Sequence, residues 1–225
     1  MLTHISADIA ILGGQSAIAS AAFQYRLACR LHTRGARTPT DYPKIVQWSL
    51  GLESPEHVAQ ALAQLRDCGP AIIAAPCNSI TPIIDELSAQ GALDCPVMTP
   101  VHALNNLVLN GTNLVLGVAN TAKQKLVQFK GGVTRYPDEA DQAWVLQLYH
   151  DIVANGPTYE LGLELQTKAR AWHATGIDRV VLACTEFSLL VPDQPGHRCS
   201  IGPFDWIDGM AELISVTIEA LPAPG

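Results

Sequence analysis

Residues 71–84, AIIAAPCNSITPII, and residues 179–190, RVVLACTEFSLL, follow the same order of residue types. In each, a short apolar run ends in a small residue and a cysteine, Cys77 or Cys184, before polar side chains and a helix-like pattern. An apolar run followed by a helix is typical of a βα unit, so each cysteine is predicted to lie where a strand ends and a helix begins. The chain is therefore predicted to be α/β, with a mainly parallel sheet in each half.

The position of the two thiols indicates acid and base chemistry. A helix amino terminus offers backbone N–H groups and the positive end of the helix dipole, which stabilise a thiolate and bind carboxylates. Moving a proton from one face of a carbon beside a carboxylate to the other face requires a base and an acid. Cys77 and Cys184 are predicted to be that pair, although a single buried cysteine is more often structural.

The composition is typical of a compact soluble globular protein and not of a disordered chain. Hydrophobic residues make up 48% and charged residues 16% of the 225 residues, and the net charge is −7. The 14 Lys and Arg are scattered, which argues against nucleic-acid and membrane partners. Because the sequence has neither a charged apolar leader nor a run long enough to cross a membrane, a cytoplasmic location is expected.

The cysteine and glycine patterns give no sign of a metal or a cofactor. Neither a CxxC pair nor an HExxH motif occurs, so no metal site is predicted. GGQS at 13–16 is too short for a dinucleotide signature, and GxxxxGK[ST] is absent. We expect the thiols to be reduced. Four cysteines are assigned structural positions: Cys29, Cys68, Cys95 and Cys199.

Apolar runs and caps predict the main elements. Strands are predicted at 9–12, 45–48, 71–75, 96–98, 114–118, 180–183 and 199–201. A helix is predicted to begin after Ser54 and to stop at Gly69. A second helix is predicted over 140–156, with these apolar residues on one face: Val145, Leu148 and Ile152.

The two halves repeat these units in the same order. Residues 8–15 match 113–121, the two cysteine runs match each other, and 95–109 match 199–214. In this last pair a strand is predicted to end at Pro100 or Pro203 and a helix to follow. This repeat predicts two similar α/β domains related by a pseudo-twofold axis, with the active site in the cleft between them. The predicted limits are 1–98 plus 204–225 for the first domain and 99–203 for the second.

Polar residues beside the cysteines are the candidate substrate ligands. Asn78, Ser79 and Thr185 supply donors where a carboxylate would bind. Glu186 is predicted either to orient a thiol or an ammonium group or to complement a helix dipole. At the ends of the first strand of each half lie further candidates, which are alternatively only helix caps: Gln15, Asn120 and Thr121.

These motifs resemble the aspartate/glutamate racemase superfamily, in particular its aspartate-racemase-like branch, over nearly the whole chain. Residues 11–27 resemble the GGMG-type opening of that branch, 76–87 its PCNTAH run, 136–152 its PxxxDQ helix and 182–190 its CTE motif. The resemblance implies two α/β domains, no cofactor and racemisation of an amino acid. It implies Cys77 and Cys184 as the acid/base pair, with Glu186 in the active site, and makes a homodimer plausible.

The departures from the family pattern concern the substrate. Thr81 stands where the family has a histidine. No arginine occurs in 48–58 and no lysine in 151–157, where aspartate racemases hold a side-chain carboxylate. An unpaired carboxylate binds poorly. The resemblance to the family therefore supports the reaction type more strongly than it supports an acidic substrate. Gln15, Asn120 and Lys123 are the possible replacements.

Two other hypotheses about the function remain. A hydantoin racemase, or another isomerase of the superfamily with a less acidic substrate, would fit the missing cations. A protein that only binds a small carboxylate would not need two thiols, because binding requires donors and no acid/base pair.

Overall fold

The computed structural model of the chain describes residues 6–13, 16–49, 51, 54–191, 198–200 and 205–221. The chain forms two compact units, Met1–Thr99 with Leu213–Gly225, and Pro100–Glu212. Each unit has its own sheet.

The first unit contains a four-stranded parallel sheet in the order β2-β1-β3-β4. Its strands are β1 (Ile9–Gly13), β2 (Ile45–Ser49), β3 (Ile72–Ala74) and β4 (Val97–Met98). Its helices are α1 (Ala17–Thr33), α2 (Pro55–Arg66) and α3 (Thr81–Ala89), with a 3₁₀ turn at Pro39–Asp41. Strand β1 is entirely buried, as expected for the centre of a parallel sheet.

The second unit contains a five-stranded sheet in the order β6-β5-β7-β9-β8. Its strands are β5 (Thr112–Leu116), β6 (Val133–Arg135), β7 (Arg179–Leu182), β8 (Arg198–Ser200) and β9 (Asp205–Asp208). The α-helices are α4 (Pro100–Asn105), α5 (Ala119–Lys123), α6 (Glu139–Asn155), α7 (Tyr159–Ala174) and α8 (Gly209–Glu219). A 3₁₀ helix spans Phe187–Leu190. Helix α8 begins in the second unit and ends among residues of the first.

The parallel strands of the two sheets have the same order. In each unit the first strand lies between the second and the third, and the fourth pairs with the third, as β2-β1-β3-β4 and β6-β5-β7-β9. Strand β8 is an antiparallel addition at the edge of the second sheet. The predicted α/β class with mainly parallel sheets is confirmed in both units.

Two strands were not predicted, and one of them changes how the halves correspond. Strand β6 has only three residues, of which Val133 and Arg135 are exposed, so it shows no apolar run. Strand β9 lies where the sequence predicts a helix after Pro203. Its apolar pair, Trp206 and Ile207, is flanked by two aspartates, so the sequence lacks the longer apolar run typical of a buried strand. Strand β9, not β8, corresponds to β4. It pairs with β7, and the chain rejoins the first unit at Leu213, whereas the sequence placed that return at 204.

The helix signals in the sequence act as predicted. Ser54 is the N-cap of α2 and its hydroxyl accepts a hydrogen bond from the N–H of His57 at 3.3 Å. Helix α6 ends at Gly156, whose φ of 79° favours glycine. The predicted apolar face of α6 is buried: Val145, Leu148 and Ile152.

A charged residue at the start of α6 fixes this helix to α7. Asp141 accepts hydrogen bonds from Trp172 Nε1 at 2.5 Å and from Lys168 Nζ at 2.6 Å. The Lys168 ammonium also lies 5.7 Å from the centre of the Trp172 ring, within range of a cation–π interaction. Burial alone raises the pKa of Asp141, but the bonds from Lys168 and Trp172 outweigh it and lower the pKa below the ordinary 3.8.

Replacing Asp141 by asparagine is expected to lower the free energy of unfolding at about pH 7, because the ionised carboxylate is the form that the fold stabilises. A lowered folded-state pKa adds stability above the unfolded value of 3.8, and that stability is lost as the pH falls through the folded value. Urea denaturation should therefore show a smaller difference in the free energy of unfolding between the wild type and Asp141→Asn at about pH 3 than at about pH 7. Asp151→Asn, on the same helix, is the control, because its carboxylate accepts from Gln147 on that helix. A difference that does not change with pH would contradict the assignment.

Candidate active site

Cys77 lies in the turn that follows β3, at the carboxyl end of the first sheet. Its side chain is buried, and its N–H donates to the carbonyl of Ala75 at 2.7 Å, which bends the chain at this point. The Cys77 sulfur lies 3.0 Å from Ser79 Oγ, so the thiol and the hydroxyl share a hydrogen bond. Ser79 is half-buried and Asn78 is buried. The structure thus brings these three predicted residues together in one turn.

The start of α3 uses its own donors within the chain. The Thr81 N–H donates to the carbonyl of Asn78 at 3.2 Å, and the next residue, Pro82, has no N–H. The Thr81 hydroxyl donates to the same carbonyl at 2.8 Å and lies 2.9 Å from the hydroxyl of Thr99. Thr81 therefore joins the Cys77 turn to the end of β4. The expectation of open N–H groups in this first helical turn is not met at Thr81 or Pro82.

Cys184 lies at the carboxyl end of β7 and has a charged neighbour. Its S–H donates to Glu186 Oε2 at 2.9 Å. The Thr185 hydroxyl donates to the same carboxylate oxygen at 3.1 Å. Cys184, Thr185 and Glu186 are all buried. Of the roles considered for Glu186, orienting a thiol is the one that this geometry fits.

The helix expected after Cys184 is a single 3₁₀ turn. The N–H of Phe187 donates to the carbonyl of Cys184 at 3.1 Å, and the turn ends at Leu190. Val191 is extended, with φ −112° and ψ 143°, as expected for a residue before proline. Because the turn is so short, the helix dipole inferred from the sequence is weak here, and the Glu186 carboxylate is a charged group in direct contact with the thiol.

The two thiols are therefore in different chemical environments. If Cys184 lost its proton, the thiolate would lie 2.9 Å from a carboxylate oxygen. Repulsion between these two negative charges opposes that loss. Cys77 has a neutral hydroxyl as its neighbour at 3.0 Å. The geometry thus favours the protonated form of Cys184 and imposes no such repulsion from Ser79 on a thiolate at Cys77.

A glycine that allows close packing lies at the end of the first strand of each unit: Gly13 is the last residue of β1, and Gly117 directly follows β5. A Cβ at Gly13 would lie 2.6 Å from Ser20 Oγ, and a Cβ at Gly117 would lie 2.8 Å from Thr121 Cγ2. Thr121 is buried against this glycine, whereas Asn120 is exposed on α5. Gln15 lies outside the described residues. Both strand ends thus place small or hydroxyl-bearing residues at the carboxyl edge of their sheet.

Gln142, the last residue of the PxxxDQ motif, binds the backbone at this edge of the sheet. The Gln142 amide donates to the carbonyl of Gly117 at 3.0 Å and so connects α6 to the end of β5. Asp141, beside it, is held by α7. The motif recognised in the sequence therefore fixes the backbone next to Thr121.

Sequence reasoning missed two buried polar residues near Cys184. Asp208, at the carboxyl end of β9, accepts a hydrogen bond from the hydroxyl of Ser188. The register pairs Asp208 with Leu182, so both strand ends lie at one edge of the sheet. The only signal was the apolar Trp206 and Ile207 before Gly209, which the helix prediction obscured.

Among the described residues, no group of three or more His, Cys, Asp or Glu is placed to hold a metal ion. No helix in the described part of the chain is long and apolar enough to cross a membrane.

The family follows from comparison of the whole sequence. The model of the Asp/Glu/hydantoin racemase family matches residues 24–217, a span that includes both cysteine turns. The chain belongs to this family. Racemases are isomerases, so the protein is placed among the isomerases. No curated protein matches the chain significantly.

Solved structures of racemases have the same fold. An aspartate racemase homologue from Pyrococcus horikoshii OT3 has a TM-score of 0.72 at 18% identity, with 94% of this chain and 97% of that chain covered. A protein from Yersinia pestis that is provisionally described as an Asp/Glu racemase has a TM-score of 0.65 at 15% identity, with 94% of this chain and 97% of that chain covered. Glutamate racemase from Francisella tularensis in complex with D-glutamate has a TM-score of 0.57 at 14% identity, covering 96% and 80%. These likenesses establish the two-unit α/β fold of the racemase family.

Glu186→Gln is expected to raise the alkylation rate of Cys184 by iodoacetamide about tenfold, because it removes the charge that opposes the thiolate. Peptide mass spectrometry of timed reactions in a Cys77→Ser background measures this rate. Glu164→Gln is the charge-matched control, because Glu164 accepts a hydrogen bond from Trp144 on α6. An unchanged or slower rate in Glu186→Gln would contradict the electrostatic role given to Glu186.

Proposed function

We propose that the protein is a cofactor-independent racemase that interconverts the enantiomers of an amino acid or a close derivative, with Cys77 and Cys184 as its two bases. The observation that carries the proposal is the equivalence of the two cysteines. Each follows the third strand of a sheet whose parallel strands have the same order. A base and an acid in equivalent turns of two similar units are suited to opposite faces of one carbon.

The two environments suggest how the protons move for one direction of reaction. The Cys77 thiolate removes the proton from the α-carbon and becomes a thiol. Cys184 delivers its S–H proton to the opposite face of that carbon and becomes a thiolate. A substrate of the other handedness reverses both transfers, and exchange of thiol protons with water also restores the resting state.

The proposed residues around the thiols bind and orient the substrate. Asn78, Ser79, Thr121 and Thr185 are hydrogen-bonding side chains at or beside the strand ends, and Gln15 and Asn120 are predicted to assist. Glu186 holds the S–H of Cys184 in its resting position. A substrate ammonium group would be a further partner for this carboxylate.

The missing cations leave the substrate defined only as an amino acid or a close derivative. The segments 48–58 and 151–157 contain neither arginine nor lysine. A hydantoin or another neutral substrate is the second candidate, because Ser49 and Thr99 at the strand ends and Ser79 in the Cys77 turn are neutral. A homodimer in the cytoplasm stays a prediction.

Deuterium exchange is the direct test of this proposal. Incubation in heavy water with both enantiomers of a panel of amino acids and hydantoins should place deuterium at the α-carbon of at least one substrate. Cys77→Ser and Cys184→Ser should each lower racemisation by about 10²-fold or more, because a serine hydroxyl is a far weaker acid. Mass spectrometry and chiral chromatography give the two measurements.

Cys95→Ser is the matched control for these variants. Burial and the nearby Asp94 carboxylate raise the pKa of the Cys95 thiol, and it lies before β4 rather than in a cysteine turn. It should keep the wild-type rate. Full activity in Cys77→Ser or Cys184→Ser would overturn the two-thiol mechanism. Saturable binding of a carboxylate without exchange would support the binding-protein alternative instead.

A further inference from the structure

Asp208 is a buried carboxylate to which the proposed mechanism gives no role. It is the last residue of β9 and is 7% exposed. In the parallel pairing of β7 and β9 it lies opposite Leu182, which precedes the Cys184 turn. A buried carboxylate costs free energy unless hydrogen bonds compensate it, so its partners indicate what the residue does.

One oxygen of Asp208 accepts two hydrogen bonds from different segments. Ser188 Oγ donates to Asp208 Oδ1 at 2.5 Å, and the N–H of Met210 donates to the same oxygen at 2.9 Å. The second bond caps α8, because Met210 lies in its first turn. The first bond reaches the 3₁₀ turn that follows Cys184 and Glu186.

Close backbone contact fixes this arrangement further. A Cβ at Gly209 would lie 3.0 Å from the carbonyl of Leu182, so the start of α8 lies directly against the end of β7. Ser188 is fully buried, and a hydroxyl in such a place is normally satisfied by a specific partner. The Cys184 turn is thus held from two sides, by the sheet through Leu182 and by Asp208 through Ser188.

We propose that Asp208 is a positioning residue for Cys184. By fixing Ser188, it holds the 3₁₀ turn whose preceding residues place the Glu186 carboxylate 2.9 Å from the Cys184 sulfur. Because the same Asp208 oxygen caps α8, which continues into residues of the first unit, Asp208 also ties the start of that helix to the Cys184 turn. The effect of this position on catalysis rests on the proposed racemase function, whereas its effect on the thiol does not.

The alkylation rate of Cys184 by iodoacetamide in a Cys77→Ser background tests the proposal. Asp208→Ala and Ser188→Ala should each raise the rate about fivefold or more, because losing the bond loosens the turn and separates the S–H from Glu186. Asp208→Asn and Ser188→Thr keep an acceptor and a donor, and should stay within about twofold of the parent. The double alanine variant should have the rate of Asp208→Ala, because the bond between Ser188 and Asp208 is already lost in that single variant.

Thr217→Val is the matched control for lost stability. It removes a buried hydroxyl of α8, which donates to the carbonyl of Leu213 at 2.7 Å, and should leave the alkylation rate of Cys184 unchanged. Unchanged alkylation in Ser188→Ala, or equal acceleration in Thr217→Val, would overturn the proposal. Should Asp208→Ala fail to fold, the two Ser188 variants decide the question.

A substrate found in the exchange screen adds a second measurement. Ser188→Ala should then lower kcat by about fivefold or more with KM little changed, and Ser188→Thr should restore it. A rise in KM alone would contradict a role in placing the thiol. If no substrate exchanges deuterium, the racemase proposal fails, while the alkylation result still decides whether Asp208 positions Cys184.

Discussion

Parallel pairing of buried strands is the constraint on which the rest of this structure depends. In a parallel sheet all strands end at the same edge, so residues far apart in the sequence become neighbours there. In the second unit this pairing gathers the ends of β5, β7 and β9, and with them Thr121, Cys184 and Asp208. The first unit does the same for β1, β3 and β4, and brings Thr99 to the Cys77 turn.

The two sheets share a topology but surround their cysteines differently. Cys77 is paired with a hydroxyl, whereas Cys184 donates to a carboxylate that also accepts from Thr185. Two sheets with the same order of parallel strands thus carry thiols with different neighbours. In the proposed mechanism this difference suits one acid and one base, because a carboxylate beside Cys184 opposes a thiolate there.

Local signals predicted α2, α6 and most strands, because caps and apolar periodicity involve residues close together in the sequence. The N-cap at Ser54 and the apolar face of α6 were readable from neighbouring residues, and both are confirmed. Strand β6 was missed because an exposed three-residue edge strand has no apolar run. Strand β9 was missed because its two aspartates interrupt the apolar pattern, although their roles come from partners distant in the sequence.

The sequence by itself determined the α/β class, the paired cysteine turns and the family, because these depend on residue order and short-range periodicity. Only the tertiary structure decided what each thiol touches. The bond from Cys184 to Glu186 depends on a 3₁₀ turn replacing a helix, and Ser188 meets Asp208 across 20 residues because β7 and β9 pair. Such contacts are set by strand register and by burial of polar groups, which no short stretch of sequence contains.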